Sequence, residues 1–335
     1  MKEALLYERL ENKLVHCHLC NHHCRIADDE FGFCGARHNI AGKLYTHAYG
    51  SVIAAHVDPI EKKPLYHFLP GHFSFSIATI GCNFRCGFCQ NWKISQQSFR
   101  DGNSPGQEFS CEQIVESTLD NNCKSISYTY TEPTIFFEYA LETAKLAKAR
   151  GLYNIFVTNG FMTEECLKMG EPYLDAANVD LKFFRDSSYK KVCGASLEPV
   201  LASIKTMHEL GVWVEVTTLV VPGENDSDEE LSDIAGFIAG VDKGMPWHVS
   251  AFHPDYKFTD HGPTPEATLR RAQELGFKAG LDFVYAGNVY GWGSDTNCPH
   301  CKKLLIKRDG FIVSENKMQE NGCSFCGEKL SGVFE

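Results

Sequence analysis

Short runs of β-branched and aromatic residues alternate with longer amphipathic runs from about residue 74 to residue 288. The short runs favour buried strands, which are predicted at 75–80, 125–130, 154–158, 178–182, 212–220, 247–252 and 283–286. The longer runs have helical spacing and predict helices at 110–121, 135–150, 163–170, 196–210, 227–239 and 264–279. Six or seven β–α repeats predict a parallel sheet with right-handed crossovers, either a full or partial TIM-like barrel or a doubly wound sheet.

The segments on either side of this array have a different pattern. Residues 1–70 are rich in Cys, His and Gly, and we predict a small lobe that starts with a short helix carrying Leu5, Leu6, Leu10 and Leu14. A strand–turn–strand signal follows at 40–45. Residues 289–335 are too few to bury a core unaided. The expected domains are therefore 1–70, a barrel over 71–288, and an appendage over 289–335.

Composition narrows the class of protein. Hydrophobic residues make up 43% of the 335 residues, which is normal for a globular protein with a buried core. A net charge of −11 argues against non-specific nucleic-acid binding, because phosphate contacts need clustered Lys and Arg. Residues 1–14 are charged rather than signal-like, and no run of eighteen apolar residues occurs. We therefore expect a cytoplasmic protein that does not insert into membranes.

The cysteines point to metal sites. The chain has fifteen, and eleven of them fall into three tight groups. In a reducing compartment such groups indicate zinc or iron–sulfur sites, because soft thiolates suit both. The groups are Cys17, Cys20, Cys24 and Cys34; Cys82, Cys86 and Cys89; and Cys298, Cys301, Cys323 and Cys326. The single cysteines, which we expect to be small buried apolar residues, are Cys111, Cys123, Cys166 and Cys193.

The central group follows the first predicted strand, at a C-x3-C-x2-C spacing over Cys82, Cys86 and Cys89. Electron-transfer clusters are closed by four thiolates, whereas three leave one iron without a protein ligand, as catalytic metal sites generally do. In α/β barrels, active sites lie on loops at strand C-termini. We therefore predict a catalytic [4Fe-4S] site. A zinc knuckle with a distant fourth ligand and three unrelated thiols are the alternatives.

These residues resemble the hallmark of the radical S-adenosylmethionine (SAM) superfamily, which places an aromatic residue before the last cysteine, here Phe88. The resemblance implies that SAM chelates the open iron of the cluster. Reductive cleavage of SAM would then give methionine and a 5′-deoxyadenosyl radical that abstracts hydrogen from a substrate. The expected fold is a partial (β/α)6 TIM-like barrel with the two Cys-rich appendages. The protein itself would supply binding and orientation.

Polar residues at other strand ends extend the resemblance. Glu132, in the stretch Tyr-Thr-Tyr-Thr-Glu-Pro at 128–133, resembles the Gly-Gly-Glu-Pro motif that holds the SAM ammonium, although Tyr130 and Thr131 replace the glycines. A carboxylate facing an ammonium is a short, charge-assisted contact. The resemblance further implies contacts to SAM or substrate from Asn159, Asp180 and Lys182, with His253 closing the site. Each of these residues also has an ordinary explanation as a strand-end turn or ion pair.

The flanking cysteines allow more than one metal. Two Cys-x-x-Cys pairs, at Cys298/Cys301 and Cys323/Cys326, have the spacing of a structural zinc ribbon, and an auxiliary [4Fe-4S] cluster is the alternative. The N-terminal four cysteines predict either a structural metal knuckle, which we favour, or an auxiliary cluster that relays electrons or grips substrate. Nearby histidines are expected to be solvated; they are His16, His18, His22 and His23.

The resemblance covers nearly the whole chain. Residues 17–37 and the segment 58–68 are similar to the pyruvate formate-lyase-activating-enzyme-like group, and the C-terminal ribbon is similar to the radical SAM member of the AmmeMemoRadiSam system. The resemblance to that system implies Memo-type and AMMECR-type partner proteins. No electron source is apparent in the catalytic region, so a flavodoxin- or ferredoxin-like reductant is predicted. The substrate stays open between a protein and a small molecule. A glycyl-radical-enzyme activase is one alternative, and a non-catalytic metal-binding scaffold is another.

Overall fold

One eight-stranded sheet organises the chain, whose computed structural model describes residues 1–102 and 105–334. The strands that precede this sheet in the chain are β1 Lys2–Glu3, β2 Tyr7–Arg9, β3 Val15–Cys17, β4 Arg25–Ile26, β5 Arg37–Ile40, β6 Lys43–Thr46 and β7 Ser51–Val52. Those of the sheet are β8 Ala54–Pro59, β9 Phe73–Ala78, β11 Ser125–Tyr128, β12 Tyr153–Thr158, β13 Ala176–Asp180, β14 Trp213–Val220, β15 Trp247–Ala251 and β16 Val284–Gly287; β10 Gln107–Glu108 pairs with β7.

Helices connect these strands, and a hairpin region ends the chain. The helices are α1 Trp92–Ser95, α2 Cys111–Asp120, α3 Phe137–Ala149, α4 Glu164–Gly170, α5 Asp186–Ser188, α6 Glu198–Glu209, α7 Asp228–Val241 and α8 Glu266–Lys278. A 3-10 helical turn lies at Pro133–Phe136, and a π-helical turn lies at Tyr189–Cys193. The last strands are β17 Thr296–Asn297, β18 Leu304–Asp309, β19 Ile312–Asn316, β20 Met318–Gln319 and β21 Gly322–Cys323. Among the described residues, no helix combines the length and the apolar character needed to span a bilayer.

The sheet has the order β16-β15-β14-β13-β12-β11-β9-β8. Its strands β9 and β11–β16 are all parallel, and β8 pairs with β9 in the antiparallel sense. Because β8 and β16 are the two edges of this order, the sheet is an open barrel with helices on its outer face. The predicted partial barrel is confirmed, and each of the seven predicted strands and six predicted helices is present within about three residues of its expected bounds.

The expected N-terminal helix is wrong. Residues 1–14 instead form β1 and β2, which pair with β6 and β3. Leu6, Asn12 and Lys13 take positive φ angles of 54°, 55° and 59°, which no right-handed helix accommodates. Leu5 is exposed and Leu6, Leu10 and Leu14 are only partly buried, so the leucine spacing does not mark the buried face of a helix. The predicted hairpin at 40–45 is present as β5 and β6.

The inner face of the sheet is polar, and a segment of the chain covers it. Buried side chains that point inward include Asn178 on β13, Glu215 on β14 and His248 on β15. The segment 60–69 lies against them: Asn178 donates to the Pro64 carbonyl at 2.8 Å, and the backbone N–H groups of Tyr66 and His67 both donate to Glu215. These bonds satisfy polar groups that would otherwise be costly to bury.

The C-terminal appendage is fastened to this segment. Arg308 on β18 is 6% exposed, lies 3.5 Å from the Glu61 carboxylate and donates to the Tyr66 carbonyl at 2.8 Å. His67 bonds to the Ser331 carbonyl and to the Tyr285 hydroxyl, both at 2.7 Å. The appendage and the barrel are therefore joined through a buried ion pair and not only through apolar packing.

We expect Arg308→Ala to destabilise the protein by about 3–5 kcal/mol, because it leaves the Glu61 carboxylate buried without its charged partner. Urea unfolding followed by circular dichroism measures the change. Lys307→Ala is the matched control, since Lys307 is the neighbouring residue on the same strand but is exposed, and it should change stability by less than about 0.5 kcal/mol. Equal stabilities of the two variants would contradict this role for the ion pair.

Candidate functional site

The central cysteines lie on the loop that leaves the C-terminal end of β9. Gly81, the residue before Cys82, has φ +96°, and a Cβ there would lie 3.1 Å from Ile135 and 3.3 Å from the Cys34 carbonyl. Glycine is therefore needed for both the backbone angle and the close packing. Cys82, Cys86 and Cys89 all line one cavity of about 490 Å³ at the carboxyl ends of the strands.

The environment of these thiols suits a bound cation. Burial raises the pKa of the Cys82 thiol and of the Cys89 thiol, and hydrogen bonding with Cys193 together with burial raises the pKa of Cys86. Ligating thiols must be deprotonated, so a soft metal centre is needed to stabilise thiolates at these positions. The Phe84 N–H already donates to the Cys82 sulfur at 3.3 Å. The donor set therefore fits an iron–sulfur cluster.

Cys193 was expected to be an ordinary buried cysteine, and it is fully buried. The sequence did not indicate that its thiol lies against Cys86. Among the described residues that line the cavity, the cysteines are Cys82, Cys86 and Cys89 alone. A ligand in the cavity therefore meets three sulfurs, and Cys193 lies behind them.

Glu132 is a buried, fully oriented carboxylate in the cavity wall. Its Oε1 accepts hydrogen bonds from the Thr134 N–H at 3.0 Å and from the Thr158 hydroxyl at 2.7 Å, and its Oε2 accepts from the Asn159 N–H at 2.8 Å. Burial raises the pKa of Glu132, and these hydrogen bonds oppose the rise. A cation that enters the cavity would complete the stabilisation of the ionised form.

Tyr130 stands two positions before Glu132, where the Gly-Gly-Glu-Pro motif has a glycine, and its backbone takes a conformation that favours glycine. Tyr130 has φ 62°, its carbonyl accepts from Asn91 at 2.8 Å, and its hydroxyl donates to Asp58. Its ring also lies 4.5 Å from the Lys63 ammonium. These contacts hold a strained backbone in place, so the turn forms with a tyrosine at this position.

Asn159, Asp180 and Lys182 line the same cavity from the ends of β12 and β13. Asn159 donates to the Asn83 side chain at 2.7 Å, which ties β12 to the cysteine loop. Lys182 pairs with Asp180 at 2.8 Å. Although burial opposes the charged form of Lys182, Asp180 and Cys86 raise its pKa well above the usual value. Lys182 is therefore a fixed cation next to the cysteine loop.

Two other predicted residues have different surroundings. Phe88 is 3% exposed, lines the cavity and packs edge-on against Phe258 at 5.8 Å. His253, which was expected to close the site, is exposed and does not line the cavity, because it lies two residues beyond the end of β15. Ser250 on β15 and Asn288 after β16 line it instead.

The sequence left the segment 58–68 open between an interface, a cavity wall and packing. Lys62, Lys63 and Pro64 form part of the wall, whereas the residues that follow pack inside the barrel. Burial lowers the pKa of Lys63 to about 8, while its ion pair with Asp58, at 2.6 Å, favours the charged form. The run of charges at 58–63 was the available signal, but it does not show which way the side chains point.

The flanking cysteine groups differ from each other in spacing. The C-terminal four sulfurs all lie within 4.8 Å of one another, with Cys298–Cys326 and Cys301–Cys323 both 3.7 Å apart. The N-terminal four line a separate small cavity with the half-buried His22, whose ring bonds to the Asn83 carbonyl at 2.6 Å. The expectation that His22 is simply solvated is therefore wrong.

Comparisons with known proteins agree with this architecture. The profile of the Radical SAM superfamily matches residues 76–235. The uncharacterized protein MJ0808 of Methanocaldococcus jannaschii is 46% identical over 338 residues and covers all of both chains. The pyruvate formate-lyase-activating enzyme of Clostridium pasteurianum is 24% identical over 203 residues, which are 54% of this chain and 80% of the relative. The structure of Streptococcus suis SuiB bound to S-adenosylmethionine matches 70% of this chain and 56% of SuiB, with a TM-score of 0.51 and 13% identity. SuiB therefore shares the fold of this chain.

The chain belongs to the radical SAM superfamily and is therefore an enzyme, for which the family implies a [4Fe-4S] cluster and SAM. Within the superfamily it falls in the group that resembles pyruvate formate-lyase-activating enzymes.

Proposed function

We propose that this enzyme cleaves SAM reductively at a [4Fe-4S] cluster held by Cys82, Cys86 and Cys89, and that the resulting 5′-deoxyadenosyl radical abstracts hydrogen from a protein or small-molecule substrate. The observation that carries this proposal is the set of three cysteine sulfurs that line one cavity beside a carboxylate and an ammonium group. A cluster bound by three thiolates keeps one iron free for a ligand.

The residues of the chain bind and orient SAM. The Oε2 atom of Glu132 accepts a single hydrogen bond from the protein and can accept another from the SAM ammonium. Lys182, held by Asp180, presents a positive charge to the cavity and attracts carboxylate groups. Phe88 and the neighbouring aromatic rings exclude water from the inner side of the loop.

Anaerobic reconstitution followed by reduction with dithionite tests the proposal, because a radical SAM enzyme then converts SAM into methionine and 5′-deoxyadenosine. In the cell the electron would come from a flavodoxin- or ferredoxin-like protein. The partnership with Memo-type and AMMECR-type proteins, and the cytoplasmic location, remain predictions from sequence.

A glycyl-radical-enzyme activase is the second candidate, supported by similarity to a putative activating enzyme from Methanocaldococcus jannaschii, 26% identical over 63% of this chain. A partner enzyme deuterated at glycine would then transfer deuterium into 5′-deoxyadenosine, measured by mass spectrometry. Transfer from a small molecule, and none from any candidate glycine, would exclude this activity.

We also propose that the C-terminal four cysteines bind zinc. A tetrahedral ion with Zn–S bonds of about 2.3 Å separates its sulfurs by about 3.8 Å, close to the 3.7 Å of both sulfur pairs. Cys326→Ser is expected to lose one equivalent of zinc, as measured by metal analysis. The single cysteine Cys123 offers the control, and Cys123→Ser should keep the full zinc content. Zinc retained in both variants would contradict this site.

A further inference from the structure

The N-terminal cysteines Cys17, Cys20, Cys24 and Cys34 form a site that the proposed function does not use. They surround a cavity of about 20 Å³ with no exposed polar surface. On the same scale one water molecule needs about 10–15 Å³. A zinc ion in contact with four sulfurs leaves no such space between them.

The two four-cysteine groups of this chain differ in the distances between their sulfur atoms. The C-terminal sulfurs all lie within 4.8 Å of one another, whereas among the described residues no three of the N-terminal sulfurs form such a group. The catalytic sulfurs Cys82, Cys86 and Cys89 do not form one either. Sulfurs that each bind a different iron atom of one cluster must stand farther apart than sulfurs around a single ion. The N-terminal group therefore resembles the catalytic group and not the C-terminal one.

Hydrogen bonds to the sulfurs point to anionic ligands. Arg37 is 1% exposed and donates to the Cys17 sulfur at 3.4 Å, and the Phe33 N–H donates to the Cys24 sulfur at 3.5 Å. Arg37 lines the cavity, and its Nε is buried without a hydrogen-bond partner among the described atoms. Donors directed at thiolates tune the potential of iron–sulfur clusters.

The site lies directly against the catalytic loop. The Cys34 carbonyl packs on Gly81, the residue before Cys82, and the His22 ring bonds to the Asn83 carbonyl at 2.6 Å. Thr134 lines the N-terminal cavity and also donates to Glu132 in the wall of the catalytic cavity. The two cavities therefore share a wall.

We infer that Cys17, Cys20, Cys24 and Cys34 hold a second [4Fe-4S] cluster that relays single electrons to the catalytic cluster. Four thiolates close every iron, which suits electron transfer and leaves no position for a substrate. In each turnover a flavodoxin- or ferredoxin-class reductant loses one electron, the second cluster gains it and passes it on, and the electron is consumed in the cleavage of one SAM. This inference rests on the proposed function, because the catalytic cluster is the electron acceptor of the relay.

Metal analysis of the anaerobically purified wild-type protein is the first test. The relay cluster predicts about eight irons and one zinc per chain, whereas a structural zinc knuckle predicts about four irons and two zincs. The second result would overturn the inference while leaving the proposed function intact. Four or eight irons without SAM cleavage would instead overturn the proposed function.

A variant lacking the catalytic ligands isolates the second cluster. Cys82→Ser/Cys86→Ser/Cys89→Ser should keep about four irons and, once reduced, give an electron paramagnetic resonance signal that does not change when SAM is added. Loss of all iron would overturn the inference. In the wild type, only one of two reduced signals should respond to SAM, a measurement that does not depend on the folding of any variant.

The choice of reductant tests the relay itself. Cys20→Ser/Cys24→Ser should cleave SAM at a rate within about twofold of wild type when dithionite, a small reductant, reaches the catalytic cluster directly. With a reduced flavodoxin the same variant should be at least about tenfold slower. Equal rates for variant and wild type with flavodoxin, or equal losses with both reductants, would overturn the relay.

Discussion

Cys86→Ala is expected to abolish SAM cleavage, with 5′-deoxyadenosine release falling by at least about 10³-fold, since enzymes typically accelerate reactions by about 10⁶-fold or more. Cys86 is 7% exposed and lines the cavity between the other two ligands in sequence. With two thiolates left, the loop cannot hold the cluster on which the chemistry depends. Chromatographic assay of 5′-deoxyadenosine and methionine, after anaerobic reconstitution and dithionite reduction, measures the loss.

Cys123→Ala is the matched control, because Cys123 is also buried, at 4% exposure, and does not line the catalytic cavity. It removes the same sulfur atom and creates a similar small void, so any loss of stability should be comparable in the two variants. Cys123→Ala should keep its cleavage activity. Activity in Cys86→Ala at the level of this control would show that the cluster is held elsewhere.

Glu132→Gln is expected to weaken SAM binding by about 30- to 700-fold, equivalent to about 2–4 kcal/mol, because it removes one partner of a buried charged pair. The amide also conflicts with its surroundings. Oε1 and Oε2 of Glu132 both accept hydrogen bonds, and an NH2 group in place of Oε2 would face the Asn159 N–H, donor against donor. Equilibrium dialysis with labelled SAM against the reconstituted protein measures the dissociation constant.

Glu164→Gln on α4 is the control, since Glu164 is exposed and pairs with Lys168, four residues later on the same helix. It should bind SAM as the wild type does. A second measurement, iron content, separates binding from cluster loss, because Glu132 is not expected to ligate iron. Unchanged SAM affinity in Glu132→Gln would contradict the role proposed for this carboxylate.

The wall of the catalytic cavity carries both a negative and a positive side chain. Glu132 and Lys182 present opposite charges to the same cavity. Glu132 is fixed by Thr158 on β12, and Lys182 is fixed by Asp180 at the end of β13, two residues earlier in the chain. SAM carries an amino group, a carboxylate and a sulfonium, so a cavity with both signs of fixed charge can orient it with little reorganisation. Lys63, which pairs with the buried Asp58 at 2.6 Å, also lines this cavity.

The sequence alone determined the barrel and the cysteine loop, because both depend on local patterns. Strand and helix periodicity identified β9, β11–β16 and the helices between them, since a strand buried on both faces needs an apolar run of fixed length. The spacing of Cys82, Cys86 and Cys89 limited them to one short loop. The leucines at 5–14 were misinterpreted because a helical spacing over so few residues is also compatible with short strands.

Only the tertiary structure decided which residues, far apart in the sequence, line the catalytic cavity together. The sequence placed His253 in the site, but a single residue of register at a strand end changes which side chain faces the cavity, and Ser250 and Asn288 lie there instead. The sequence likewise left the metal at both four-cysteine groups open, because ligand count is the same for zinc and for a cluster. The structure adds that the C-terminal sulfurs all lie within 4.8 Å of one another, whereas among the described residues no three of the N-terminal sulfurs form such a group. The folding of each segment sets this spacing, which the sequence does not encode locally.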